Sequence, residues 1–176
     1  MSLLRVLAVG LLCVTMLAAI PMGAQQPPAT NPMDVIPDKM PFDVPYGTPI
    51  TLERAQVGIN AAVAEAKKHD WKMNIAVFDS GANLVTFARM DGAQIASIQI
   101  SQHKARWAVQ SRRETKVFEN AVGSTNTVLT LDGVIASRGG IPLVEGGKII
   151  GSIGCSGGAG SQDEVVCKAG AAAILK

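Results

Sequence analysis

The sequence predicts an α+β domain: a mostly antiparallel sheet with helices packed on its faces. Its segments read helix, hairpin, helix, ill-defined link, hairpin, helix, with period 3.6 in the helical stretches. Two pairs of short apolar runs are each joined by a tight turn, Asp79-Ser80-Gly81-Ala82 in the first and Gly146-Gly147 in the second. Four strands are visible, and a fifth is a candidate within residues 128–135.

Residues 1–24 stand apart from that domain. Arg5 precedes an apolar run over residues 6–20, and Pro21-Met22-Gly23-Ala24 follows, the outline of a secretory signal peptide. The run of about 15 residues is short for a membrane span, which wants about 20. The expected location is therefore periplasmic or secreted, with no membrane contact once the signal is removed. Cleavage after Ala24 would leave 152 of the 176 residues, enough for one domain with a proper core. The formal charge is +2, from 16 basic and 14 acidic residues without a block of either sign, so nothing points to nucleic acid.

Residues 25–50 carry seven of the nine prolines and form a proline-rich N-terminal arm, since such a stretch makes neither helix nor inner strand. It is expected to be extended and to lie, near Phe42 to Tyr46, along the domain or a neighbouring subunit. The domain proper is residues 51–176. Thr51 caps a helix reaching His69, with Glu53 in the first turn and Lys67-Lys68 in the last. Leu52, Ala55, Ile59, Ala62, Val63 and Ala66 make its apolar stripe.

After the first hairpin, residues 94–112 form a helix with two apolar faces. Ile95, Ile98, Ala105, Ala108 and Val109 lie on one; Ala96, Ile100, His103 and Trp107 lie roughly opposite. The second face predicts a subunit interface or a ligand surface. Residues 116–122 read as a short helix, and residues 123–138 as a loop with one undecided segment.

The densest stretch is residues 139–164, with nine of the 18 glycines. Either the backbone turns sharply there or something packs close against it. Ser161-Gln162-Asp163-Glu164 predicts a capping box opening a helix over residues 165–175. Gly154-Cys155-Ser156-Gly157-Gly158 fits a nucleophile-elbow pattern, but both histidines, His69 and His103, precede the serine, against the order that fold requires. No phosphate loop or dinucleotide fingerprint is present. Cys155 and Cys167 form either a bridge between the last strand and last helix or two buried thiols. Their spacing and the distant histidines disfavour zinc. Neither a catalytic trio nor a metal cluster is predicted.

Non-covalent haem needs an apolar slot, an axial donor and cations for its propionates. His103, with Ile100, Trp107, Arg106, Arg112 and Arg113 nearby, supplies that chemistry on one helix and its end. A packed interface histidine is the competing reading.

Several motifs extend the argument: residues 75–84 (IAVFDSGANL), Arg89-Met-Asp-Gly-Ala93, Ser101-Gln-His-Lys-Ala-Arg106, Arg112-Arg-Glu-Thr115, Gly139-Gly-Ile-Pro-Leu143, and residues 151–164. In these, and in their order from residue 51 to 176, the chain resembles the GlcG/HbpS-like haem-binding family. The resemblance implies a profilin-like domain, an antiparallel five-stranded sheet flanked by helices, that assembles into homo-oligomers. Some members bind haem and are described as haem-degrading or as sensors of haem and redox stress; others sit in glycolate or diol operons. The family's threonine after the Lys-Ala helix falls on Thr115. The expected cofactor is haem, bound by Thr115 or His103 at iron and Arg112 and Arg113 at the propionates. Two further readings accompany this one: an enzyme acting on haem or a small carboxylate, and a non-catalytic assembly or sensor partner.

Overall fold

Thr51 stops the proline-rich arm and starts α1 (Leu52–Lys68), its hydroxyl accepting the Arg54 N–H at 3.4 Å. The computed structural model describes residues 36–176, so the signal-peptide expectation for residues 1–24, and the first part of the arm, lie outside the described residues. From Lys39 onward the chain forms one unit. β1 (Asn74–Asp79) and β2 (Leu84–Arg89) make the first hairpin, and α2 (Ala96–Ser111) and α3 (Thr115–Val122) follow. β3 (Gly140–Glu145) and β4 (Lys148–Ser156) make the second hairpin, and α4 (Gly160–Ile174) closes the chain. The second turn is built as its glycines predict, with φ of +55° at Gly146 and +74° at Gly147.

The sheet has the order β2-β1-β4-β3, all pairs antiparallel. Alternation along the two central strands sorts the core into two layers. Ile75, Val77, Ile153 and Cys155 join Ile59, Ala62, Val166 and Ile174 on the α1/α4 side. Ala76 and Phe78 meet Ala105 of α2 on the other. On that second face Ser152 donates to the Ala105 carbonyl at 2.6 Å. Gly154 lies so close to α2 that a Cβ would sit 2.2 Å from the Ser101 oxygen. The glycine-rich stretch thus does both things its composition allowed, turning at one end and admitting a helix backbone at the other. The Cys155–Cys167 pair is a buried disulfide, Cα atoms 5.6 Å apart, tying β4 to α4.

Two expectations are corrected. The sheet has four strands among the described residues, not five: within residues 123–138 the chain makes a 3₁₀ helix, Asn126–Thr130, without a fully buried residue and so without an apolar face to pair into the sheet. The extra pairing comes instead from the arm, where Tyr46 bridges Ile149 in parallel. The last helix starts five residues before residue 165. Gln162 Oε1, not a serine hydroxyl, serves its first turn by accepting the Ala159 N–H at 2.8 Å. The cause is Asp163, drawn inward to Lys104 and accepting the Gly158 N–H at 3.1 Å, which fixes the helix register.

Candidate functional site

α2 places the predicted site residues, and the loop after α3 determines how they can act. His103 lies on the outer face of α2, where Gln99, Ile100, Gln102 and Arg106 join it around an open groove of about 430 Å³. Its Nε2 is 2.7 Å from the Gly133 carbonyl oxygen. A carbonyl only accepts, so Nε2 carries the proton and, in the neutral ring, Nδ1 keeps its lone pair. Fixing one imidazole nitrogen on a backbone carbonyl is the usual way a histidine is oriented to offer the other as a ligand.

One turn on, Trp107 stacks edge-on against Phe118 of α3, centroids 5.3 Å apart. Its Nε1 is buried and has no hydrogen-bond partner among the described residues. The second apolar stripe of α2 is therefore covered in part by the chain itself. Ile95, which heads the first stripe just ahead of α2, is 79% exposed.

Arg112 ends α2 in the left-handed conformation, φ +56°, with its N–H on the Ala108 and Val109 carbonyls. Its Nη1 donates to the carbonyls of Phe42 (3.2 Å) and Val44 (3.4 Å), and its guanidinium lies 5.1 Å from the Tyr46 ring centre. Arg113 is sandwiched between Phe42 (3.5 Å) and Phe118 (4.5 Å), where burial lowers its pKa from the ordinary arginine value. Arg106 lies 5.0 Å above the Phe78 ring. Among the described residues none of these three cations is within ion-pair distance of a carboxylate. Rings and carbonyls hold them, and their charge stays uncompensated.

Thr115 is placed differently from the other three predicted residues. It opens α3 with no exposed surface, and its Oγ1 accepts the Gly140 N–H at 2.9 Å. The structure thus brings His103 and Arg106 to one open face and Arg112 with Arg113 to the arm, while Thr115 is enclosed between α3 and β3.

Sequence reasoning did not foresee the pairing of two charged groups. Lys104 and Asp163, with side chains 1% and 3% exposed, pair at 2.7 Å between α2 and α4. Burial pushes the Asp163 carboxyl up, while Lys104 and the N–H groups of Gly158 and Gly157 pull it back. Glu164 collects Lys168 (2.5 Å), Lys116 (3.0 Å) and Arg138 (3.4 Å). Lys104 at i+3 from Ser101 on a helix flank was the available signal, though spacing could not name its partner.

The family model for the haem-degrading protein HbpS-like family matches residues 50–172, well over half of the chain. The chain belongs to the HbpS-like family. Protein GlcG of Escherichia coli K12 is similar to it, 41% identical over 108 residues, which cover 61% of this chain and 81% of that protein. Among solved structures, that of HbpS superimposes with a TM-score of 0.67 at 30% identity, covering 74% of this chain and 93% of HbpS. The PduOC:haem complex gives a TM-score of 0.66 at 25% identity, covering 72% and 95%. These HbpS-like relatives share the α+β arrangement of an antiparallel sheet flanked by helices.

Proposed function

We propose that the protein binds haem non-covalently along the outer face of α2. The observation that carries the reading is the hydrogen bond from His103 Nε2 to the Gly133 carbonyl, because it leaves Nδ1 as a free, oriented donor beside an apolar residue, Ile100. The donor set fits the group. His103 would hold the iron, and Arg106, Arg112 and Arg113 would meet the propionates, being cations without a carboxylate partner among the described residues. Haem supplies the redox-active iron; the chain supplies the nitrogen, the cations and part of the apolar wall. Thr115 is left out of this assignment, since its only side-chain oxygen is enclosed and already accepts from Gly140.

Membership of the HbpS-like family and the likeness to a PduOC:haem complex support the same reading. The test is a titration of the purified protein with hemin. A Soret shift that His103→Ala abolishes is expected; no shift in the unaltered protein, or one indifferent to His103→Ala, would sink it. Export to an oxidising compartment and self-association belong to the same proposal. The Cys155–Cys167 disulfide supports the first. Exposed Ile95, Leu52 (61%) and Val57 (47%) support the second.

A further inference from the structure

The arm meets the domain in two unlike ways. Residues 45–50 are stitched to β4 by backbone bonds: Ile149 N–H to the Pro45 carbonyl (2.8 Å), Gly47 N–H to Ile149 (2.8 Å) and Ile50 N–H to Ile150 (2.9 Å). The Tyr46 hydroxyl adds bonds of 3.1 Å to the Val109 and Gln110 carbonyls. Among the described residues, no backbone hydrogen bond ties residues 40–44 to the rest of the domain. They meet Arg112 at the Phe42 and Val44 carbonyls and Arg113 at the Phe42 ring.

We infer that residues 40–44 are a displaceable strap over an anion site formed by Arg112 and Arg113, and that a ligand bearing carboxylates competes with the strap for them. This rests on the haem-binding reading, of which it is the regulation. The competition favours exchange for a chemical reason. The strap offers the two guanidinium groups neutral carbonyls and one ring, whereas a carboxylate offers a charge-assisted, bidentate acceptor. Arg113 is already partly desolvated, so its bond to an anion is strengthened by the surrounding low dielectric. Arg112 is held in a left-handed conformation uncommon for a residue with a side chain, which aims its guanidinium at the strap from the end of α2. Met40 is 79% and Phe42 38% exposed, so lifting the strap uncovers little core. Pro41 within it, and Pro45 at its anchored end, limit the freedom it gains when released.

The test uses iron-free protoporphyrin, which has the two carboxylates without the metal, and its dimethyl ester, which has neither charge. Binding is measured on the full protein and on Phe42→Ala, with the rate of chymotryptic cleavage after Phe42 followed in the unaltered protein. Phe42→Ala is expected to tighten protoporphyrin about three- to tenfold, the worth of one cation–π contact, and to leave the ester unchanged. Protoporphyrin should also speed chymotryptic cleavage after Phe42 in the unaltered protein, since the Phe42 ring then leaves Arg113. Equal affinity in both proteins, slower cleavage after Phe42 on binding, or no binding to either would overturn the strap. Binding by Phe42→Ala alone would support it. His103→Ala separates the two proposals: it removes the hemin Soret shift if His103 holds iron, but leaves the response of the strap to iron-free porphyrin intact.

Discussion

Thr115 and Gly140 are locked together by a buried hydrogen bond, 2.9 Å from the Gly140 N–H to the threonine hydroxyl oxygen. It joins the first turn of α3 to the start of β3. Thr115→Val keeps the shape and removes the acceptor, leaving a buried N–H unsatisfied. The expected loss is about 1–3 kcal/mol in urea unfolding, with a smaller loss for Thr115→Ser. The hemin spectrum at saturation should not move in either variant, and a displaced Soret band would return Thr115 to the iron.

Gly154 gives a packing test of the same face. An added methyl would meet backbone atoms, the Ser101 oxygen at 2.2 Å and the Ala105 nitrogen at 2.5 Å, neither of which can swing aside. Gly154→Ala should therefore cost about 3 kcal/mol or more by overpacking. Gly146→Ala has open space around it, and only its left-handed backbone makes it costly, by about 1–2 kcal/mol. Thermal unfolding of the two variants side by side checks the order.

What the sequence made legible follows from periodicity and turn chemistry. The α1 cap at Thr51, both hairpins and the apolar stripe of α2 are local, so the chain states them directly. The 3₁₀ helix at Asn126–Thr130 was not legible, because Val128, Leu129 and Leu131 suit a helix or a strand equally until one knows that no sheet edge receives them. The start of α4 was misread for a related reason. Ser161 and Glu164 have the spacing of a cap, but the register is set by Asp163 reaching Lys104, 59 positions away. At the candidate site the residue types were readable and their engagements were not: Gly133 on His103 and Phe42 on Arg113 are tertiary contacts.

Glu164 should make stability depend on acid pH. Burial tends to raise its pKa, but the hydrogen bonds from Lys168 and Lys116 outweigh that and hold the carboxyl below its ordinary range. A carboxyl lowered in the folded state contributes stability above its unfolded pKa, about 4.3, and loses it as pH falls through the folded value. Glu164→Gln should lower stability at pH 7 by about 1–2 kcal/mol. The gap to the unaltered protein should close in denaturant titrations carried down through the acid range, below the unfolded pKa, as the lowered carboxyl protonates; a gap constant with pH would show that the ion pairs contribute nothing.

Lys104 and Asp163 carry the opposite sign. Both side chains are buried, so removing either leaves a charge in a dry interior, and Lys104→Met should cost about 3–5 kcal/mol at pH 7. The two halves are not equivalent, however, because Asp163 can escape by taking up a proton. Burial already pushes its carboxyl up against the pull of Lys104, and without that lysine the shift must grow. A carboxyl raised in the folded state is tolerated at low pH, and its penalty develops as pH rises from the unfolded pKa, about 3.9, through the folded one. Lys104→Met should therefore be nearest to the unaltered protein around pH 4 and fall away towards pH 8. Asp163→Asn, which strands the lysine instead, should not recover at acid pH. Replacing both, Lys104→Met with Asp163→Leu, should restore much of the loss, as apolar substitutes for buried pairs often do. Denaturant unfolding of the three variants at pH 4 and 8 decides the matter, and equal losses for Lys104→Met at both pH values would mean that Asp163 stays ionised without its partner.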